Sequence, residues 1–567
     1  GGNLCQLPRC WYFRKLENRF YCDRKGGNTC YAIQGDNRYH SIFGGMKPHA
    51  SPCTQECPAG TDIPAYMAEL RKGNWDEAAT IIMKANPFPM FTARICPHPC
   101  QDKCNQCEYG DNVNIHCVER SVADYIMKNT DKFFPKPAAE TGKKVAIIGG
   151  GPGGMTAAYY LRKAGHTVTV FERQEKIGGV MRYGVPHYRL PKTVVDDVVN
   201  ALTAMGIEFK CGVNVGKDIT VEEIDEKFDG VFFGTGAWKQ PILGIGGEDL
   251  ALFGLNFLTE VNTYLEKTIG KNVLVCGGGN VAMDVALTAK RLGADKVTLI
   301  CLEKRHEMPA SSEEIERAEE EGVQIFNAWG LGAVLTDENG AVTGFDAKRC
   351  TSVRDATGRF NPVYDEEERW HIDCDYVLLA TGQAVDISFL GEKFLGQLKS
   401  ARGLIDIDRE TYKTSRKGMY AAGDAATGPN IAIRAINGAR IAAFNMTKEL
   451  GVEIEGQLMT RDFVHCDQQG IDEHKLTPQP ERPVGTRTLV DEDASSYSAE
   501  ELDREIHRCM NCACYAVNPS DTAPALIALG AKVVTTKRVL DAEQFFDMLA
   551  EKTGYMDMLR AQGLDTI

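Results

Sequence analysis

The spacing of hydrophobic and polar positions along this 567-residue chain changes several times, and each change marks a different kind of structure. From 51 to 128, stretches such as IPAYMAELRKGNWDEAATIIMKANP place apolar residues at helical spacing, which predicts short helices joined by turns. FFPKPAAETG at 133–142, rich in proline and small residues, reads as a linker. An apolar strand, a glycine loop, a helix pattern and a second apolar strand follow at 144–172 and again at 272–303, the order of parallel α/β units. Residues 340–375 alternate like antiparallel strands. Beyond about 452 the chain turns polar, and TPQPERPVGTR reads as an exposed connector. Residues 1–50 show little helical periodicity, and no long repeat exists beyond the two glycine-loop units.

Each glycine loop has a physical task at each position. In KVAIIGGGPGGMTAAYYLRKAGHTVTVFER, Gly149 permits the tight turn and Gly151 lets a pyrophosphate approach the backbone. Gly154 allows the helix to pack closely on the strand, and the helix start offers unpaired N–H groups to phosphate. Glu172, at the end of the second strand, suits ribose hydroxyls. KNVLVCGGGNVAMDVALTAKRLGADKVTLICLEKRHEMPA repeats the pattern with Gly277, Gly279 and Ala282. Flavin and nicotinamide are the dinucleotides that handle hydrides.

Composition narrows the class. Apolar residues at 43% and charged residues at 25% are those of a globular protein, and a formal net charge of −14 argues against nucleic acid or anionic lipid as partner. The sequence opens on Gly1 without a secretory pattern and has no apolar run of membrane-spanning length, so a cytoplasmic protein without membrane insertion is expected. Eleven of the twenty cysteines fall within the first 117 residues, beside the dinucleotide motifs, which favours cluster or metal ligation over a disulfide scaffold. Seven of these are Cys53, Cys57, Cys96, Cys100, Cys104, Cys107 and Cys117. Cys211, Cys276, Cys301, Cys350 and Cys374 stand singly in Rossmann-like sequence and are expected to be buried. No Cys-x2-Cys pair lies in the dinucleotide units, and no hydrolase signature such as H-E-x-x-H occurs, so no catalytic side chain is assigned.

MYAAGDAATGPNIAIRAINGARIAA at 419–443 ends a strand at Gly423-Asp424 and resembles the two-dinucleotide-domain flavoproteins, in which such an aspartate binds flavin. The strings GGGNVAMD and EMPA, together with YGVPHYRLPK and GTGAWKQP, resemble the small (beta) subunit of glutamate synthase and its relatives across residues 51–450. That resemblance implies NAD(P)H reducing FAD, with electrons passing through two [4Fe-4S] clusters to a partner subunit. It adds Pro152, Arg173, Gly179, Arg189, Asn280 and Ile431 to the cofactor-binding positions. It also implies one cluster on Cys57, Cys96, Cys100 and Glu119, and another on Cys53, Cys104, Cys107 and Cys117. The family's Cys-x2-Cys pair just upstream of Cys53 is absent.

The expected fold class is α/β, with two Rossmann-like domains. A cysteine-rich extension (1–50) and a helical iron–sulfur domain (51–140) precede an FAD-binding domain in two parts (141–265 and 376–452), with an NAD(P)H-binding domain (266–375) inserted between them. A C-terminal extension (453–567) follows. NADPH-using relatives carry paired arginines where this chain has Leu302 and Glu303. An acid there suits a free ribose diol and repels a 2′-phosphate, which favours NADH, although Lys304 and Arg305 follow at once.

Outside the family core, Cys5, Cys10, Cys22 and Cys30 form a four-thiol set suited to a further cluster or to zinc. Cys509, Cys512 and Cys514, in RCMNC and the residues after it, either complete a cluster with Cys466 or supply the pair missing beside Cys53, unless they are incidental thiols. The leading expectation is an electron-transfer flavoenzyme subunit joining NADH to other subunits of a redox complex, such as a bifurcating hydrogenase or formate dehydrogenase. The small subunit of glutamate synthase and a non-catalytic iron–sulfur adaptor are the alternatives.

Overall fold

The structure, a computed structural model, describes residues 51–108, 110–265, 267, 269–452 and 475–511. The cysteines at 5, 10, 22, 30, 466, 512 and 514 lie outside the described residues.

Residues 52–133 form the helical unit that the apolar spacing predicts. Its main helices are Ile63–Arg71, Trp75–Ala85, Pro89–Ile95 and Ile115–Lys128. Their starts are written in the sequence. Asp62 and Asn114 cap two of them by accepting from Ala65 N–H and Cys117 N–H, and prolines occupy the first turns at Pro64 and Pro89. The expected linker is anchored at its start. Phe133 and Phe134 are buried, and Phe134 meets Tyr159 edge-on at 5.6 Å.

Two parallel five-stranded sheets follow. The first runs β13-β4-β1-β2-β3, from Lys144–Ile148 (β1), Thr167–Glu172 (β2), Glu208–Cys211 (β3), Gly230–Phe233 (β4) and Met419–Ala421 (β13). The second runs β5-β12-β6-β7-β8, from Leu252–Phe253 (β5), Asn272–Cys276 (β6), Lys296–Cys301 (β7), Gln324–Asn327 (β8) and Tyr376–Leu379 (β12). In each, the strand before the glycine loop is central, with neighbours reached by crossovers in opposite directions. The crevice at its carboxyl end is therefore a topological switch point. Strand membership carries the second sheet from 252 to 379, beyond the expected 266–375 at both ends. The alternating segment forms an antiparallel sheet of Trp329–Thr336 (β9), Val342–Arg354 (β10) and Phe360–Asp373 (β11). Of the single Rossmann cysteines, Cys276, Cys301, Cys350 and Cys374 are buried as expected, but Cys211 is exposed at the end of the edge strand β3.

The connector TPQPERPVGTR is exposed over 481–486, as expected, but the chain from 475 to 511 is pinned to its neighbours. Its ion pairs reach both neighbouring units. Arg487 contacts Glu321 at 3.1 Å, and Asp493 meets Arg291 at 2.7 Å. Glu492 lies within 2.8 Å of both Arg94 and Arg120 on the cysteine-bearing helices. The helix Ala499–Arg508, opened by a Ser498/Glu501 capping box, then docks on the helical unit. Glu505 is fully buried and accepts from Asn114 N–H (2.7 Å) and Thr477 N–H (2.9 Å). It also pairs with the fully buried Arg508 at 2.7 Å, whose guanidinium donates to the carbonyls of Asp111 and Asn112. No helix among the described residues is long and apolar enough to cross a membrane.

Removing one partner of a buried pair leaves the other charge without compensation. Glu505→Ala should therefore cost about 3–5 kcal/mol. The effect should appear as a lower urea midpoint and early proteolytic cleavage within 475–511. An unchanged midpoint would show that this clamp does not hold the segment.

Candidate functional site: a dinucleotide cleft beside two cysteine-lined cavities

The first switch point opens into a cleft of ≈ 1830 Å³, counting its mouth. Gly149, Gly151, Pro152, Glu172, Arg173, Gly179, Gly423 and Asp424 all line it. Gly149 has φ +100°, and a Cβ there would stand 2.5 Å from the Gly234 carbonyl oxygen, so β1 and β4 approach too closely for any side chain. Gly154 lies inside the helix rather than in the cleft. A Cβ on it would meet the Gly149 oxygen at 1.8 Å, which is the close helix–strand packing expected of that position. The helix Pro152–Lys163 starts at Gly151 with no side-chain cap, leaving its first N–H groups to the cleft. Glu172 accepts from Gly150 N–H at 2.7 Å and Gln174 N–H at 2.9 Å, and burial raises its carboxyl above the usual range.

Asp424 accepts from Asn430 N–H at 3.2 Å, and burial pushes its carboxyl up to about 6. The buried Thr235 hydroxyl has no partner among the described residues and stands in the cleft wall, with Trp238 nearby and Arg173 over its ring at 5.6 Å. Thr235 and Trp238 fall inside GTGAWKQP, but their spacing alone does not mark them as cleft residues. Tight glycine backbone, an open helix start, an acid at the ribose end and an unsatisfied hydroxyl together fit a flavin dinucleotide.

The second loop repeats the construction. Gly277 leaves no room for a Cβ, which would be 2.3 Å from the Ala380 oxygen, whereas nothing lies within 4 Å of the Cβ position at Gly279. Ala282 is buried, and Asn280 Oδ1 accepts from Ser311 N–H at 2.9 Å. Glu303 Oε2 lies 2.7 Å from the Cβ position of Gly278, which puts the acid against the loop. Arg305 forks onto Glu319 at 2.7 and 2.6 Å, so its guanidinium is committed elsewhere. Val281, at the start of this loop's helix, lines the first cleft, so the two dinucleotide sites adjoin.

Arg189 does not reach the cleft. Its guanidinium pairs with both oxygens of Asp284 at 2.8 Å and with Glu314 at 2.9 Å. It ties YGVPHYRLPK to the second loop's helix rather than presenting itself to a dinucleotide. Ile431 is also outside the cleft. It caps the helix Ala432–Glu449 and packs with Ile433 near Cys57 and Cys96.

The cysteines divide between two cavities. Cys57, Cys96, Cys100 and Glu119 line one of ≈ 380 Å³, a figure that, like that of the second, counts space open to solvent. Cys57 and Cys96 sit at helix C-termini, and Cys96 Sγ accepts from His98 N–H at 3.4 Å. Glu119 accepts from Thr92 Oγ1 at 3.1 Å and meets His98 Nε2 at 3.1 Å. Burial pushes the Cys96 thiol up to about 12.

Cys53, Cys104 and Cys509 line the other cavity, of ≈ 350 Å³. The expected set of Cys53, Cys104, Cys107 and Cys117 is not assembled. Cys107 is exposed, and Cys117 is buried in its helix against Tyr497 and Asn114, lining neither cavity. Sequence spacing cannot separate Cys117 from its neighbours, because helix phase turns its thiol toward the Tyr497 side. Among the described residues, no three His, Cys, Asp or Glu side chains converge on a single-ion site. The wall of the first cavity carries three thiols and Glu119 and that of the second three thiols, the ligand type that iron–sulfur clusters take.

Residues 143–439 match the family described as pyridine nucleotide-disulphide oxidoreductase, and residues 46–131 match the dihydropyrimidine dehydrogenase domain II, 4Fe-4S cluster family. The glutamate synthase [NADPH] small chain of Bacillus subtilis is 32% identical over 429 residues, 70% of this chain and 86% of that one. The chain belongs to this glutamate synthase small-chain family. It shares that family's FAD- and NAD(P)-binding fold and 4Fe-4S domain. Two other relatives of the family are longer. The NADPH-Fe(3+) oxidoreductase subunit beta of Geobacter sulfurreducens is 35% identical over 439 residues, 72% of this chain and 65% of that one. The NADP(+)-dependent formate dehydrogenase subunit beta of Moorella thermoacetica is 35% identical over 428 residues, 70% of this chain and 60% of that one. The chain thus spans less than two thirds of the length of those two relatives.

Asp424 supplies a test of the cleft. Its carboxyl titrates near 6 in the folded protein against an ordinary 3.8, so the flavin-free fold binds a proton more tightly than the unfolded chain does. Stability should therefore fall as pH rises from about 4 to 6, by up to about 3 kcal/mol from this group. Asp424→Asn should flatten that slope in urea unfolding of flavin-free protein. A slope identical to that of the unmodified protein would contradict the buried-acid assignment.

Proposed function

We propose that this chain is the electron-transfer subunit of a larger redox complex, joining NADH to partner subunits through FAD and two [4Fe-4S] clusters. One helix carries this reading. Ala432 and Ala435 of Ala432–Glu449 face the dinucleotide cleft, while Ile433 of the same helix faces the cavity of Cys57, Cys96 and Cys100. Ile63 in turn lines both cysteine cavities. The cleft and the two cavities thus form a series in which each adjacent pair shares a wall. When bound, the flavin supplies the exchange between hydride and single electrons, and the clusters supply single-electron carriage. The protein's part is to hold these groups close, exclude water with an apolar wall, and offer thiolates at fixed positions.

For the clusters we assign Cys57, Cys96, Cys100 and Glu119 to one. Cys53, Cys104 and Cys509 go to the other, with Cys512, the second thiol of the RCMNC pair, as its fourth ligand. On this reading the C-terminal segment replaces the upstream pair that the sequence lacks. Cys117 is a core thiol. The cysteine group at 5–30, together with Cys514, extends the path toward partners if it holds a further cluster, whereas zinc there would be a structural clip that carries no electron.

NADH is the proposed donor because Glu303 lies against the second loop and Arg305 is held by Glu319. The names of the relatives give NADPH or NADP(+) for those proteins, so the proposal of NADH for this chain rests on Glu303 and not on them. Glutamate synthase remains a second reading, favoured by the match across 86% of the Bacillus subtilis small chain. Identification of co-purified partners decides between the two.

Anaerobic NADH should bleach the flavin at about 10–100-fold lower concentration than NADPH, and Glu303→Arg should narrow or reverse that ratio. Equal use of both by the unmodified protein would sink the nicotinamide assignment, and no bleaching by either would favour a non-catalytic adaptor.

Iron analysis tests the ligand sets. Full-length protein prepared anaerobically should hold at least about eight irons. Cys509→Ala and Cys53→Ala should each lose about four of them. Cys107→Ala and Cys117→Ala should lose none. Full iron retention by Cys509→Ala would return the second cluster to the 53–117 cysteines.

A further inference from the structure

Tyr66 is buried in the helix Ile63–Arg71 that separates the two cysteine cavities, with 1% of its surface exposed. Its ring lines the cavity of Cys57, Cys96, Cys100 and Glu119, while the next residue, Met67, lines the cavity of Cys53, Cys104 and Cys509. The Tyr66 hydroxyl has no hydrogen-bond partner among the described residues. A buried hydroxyl left unpaired is costly, and phenylalanine would fill the same space without that cost.

The polar groups already in this cavity do not claim it. Glu119 is engaged by Thr92, Asn86 and His98, and Cys57 by Thr61. A phenol keeps its proton at neutral pH and can donate it in a hydrogen bond. No acceptor among the described residues takes this hydroxyl, and the sulfurs of a bound cluster are acceptors.

We propose that Tyr66 donates a hydrogen bond to a sulfur of the cluster in the Cys57, Cys96, Cys100 and Glu119 cavity and thereby raises that cluster's reduction potential. The inference rests on the ligand assignment proposed above. A donor directed at a cluster sulfur withdraws electron density and stabilises the reduced, more negative state. Met67 offers the second cavity no such donor. Two clusters sharing one wall are thus given different potentials by adjacent residues of a single helix. Tyr66 is a positioning and tuning residue and makes no bond to iron.

The test is an EPR-monitored redox titration of the full-length protein, reconstituted anaerobically, with iron and flavin content measured on the same samples. The signal that Cys57→Ala removes identifies the cluster concerned. Tyr66→Phe should keep iron and flavin at the unmodified level, move the midpoint of that signal to more negative potential, and leave the other cluster's midpoint in place. Tyr66→Leu, which also lacks the hydroxyl, should shift the same signal in the same direction. An unchanged midpoint would overturn the proposal, as would an equal shift of both clusters. Loss of iron from Tyr66→Phe would also overturn it, since that would make the residue a structural support. If Cys57→Ala removed no iron and no signal, the ligand assignment itself would fall, which is a different outcome from an unmoved midpoint.

Discussion

The close approach of the helix Ala432–Glu449 to the flavin-side helix Pro152–Lys163 is the constraint on which the arrangement rests. Only small residues allow it. A Cβ on Gly153 would lie 3.9 Å from the Ala435 Cβ, in ordinary van der Waals contact, so the two helices meet with no larger side chain between them. Ala432 and Ala435 then form cleft wall on one side, while Ile433 and Ile436 pack with Ala59 and Ala85 on the other. Because a packed interior transmits position without slack, the cysteine-bearing turns at Cys57 and Cys96 are placed by the same helix that closes the dinucleotide cleft. Bulk added at Ala435 would therefore act on both sites at once.

Charge does the complementary work on the far side of the helical unit. The segment from 475 to 511 packs Tyr497, Leu502 and Ile506 into the core and is also held by paired charges, of which Glu505 and Arg508 are completely buried. Such a pair adds little net stability relative to an apolar substitute, but it tolerates only one seating, because any shift leaves a charge and several backbone groups unsatisfied. That specificity brings Cys509 to the wall opposite Cys53, across more than four hundred residues of sequence. Arg71, which donates to the Ile506 carbonyl at 2.8 Å, fixes the same turn from the neighbouring helix.

The two dinucleotide sites follow one plan but differ in what surrounds the acid. Glu172 is buried and bound by backbone N–H groups, whereas Glu303 is half-buried beside a loop whose Gly279 position is open. Arg189 shows how a residue that belongs to a recognisable string can serve another purpose. Its burial among Asp284, Glu314 and Tyr188 locks the second loop's helix to the flavin domain.

The glycine loops, the terminal acids Glu172 and Glu303, the strand periods and the helical spacing of 51–128 were legible without coordinates. Each expresses a local rule: backbone that excludes a Cβ, a strand end that meets ribose, an apolar face with a fixed repeat. The grouping of Cys57, Cys96 and Cys100 with Glu119 came from family resemblance rather than from any local rule, and the fold does bring those four side chains to one cavity. What remained hidden was every feature set by distant packing. Cys117 and Cys53 look alike in sequence, but helix phase turns one thiol into the core toward Tyr497 and the other toward a cavity. Arg189 reads as a ligand-binding arginine until Asp284 is seen to hold it. TPQPERPVGTR reads only as an exposed connector because the partners that pin it, Glu321 and Arg317, are far away in sequence. Local chemistry therefore determined which dinucleotide loops and donor atoms this protein possesses. Only tertiary packing, which alone fixes the distance between remote side chains, decided which of those atoms share a cavity.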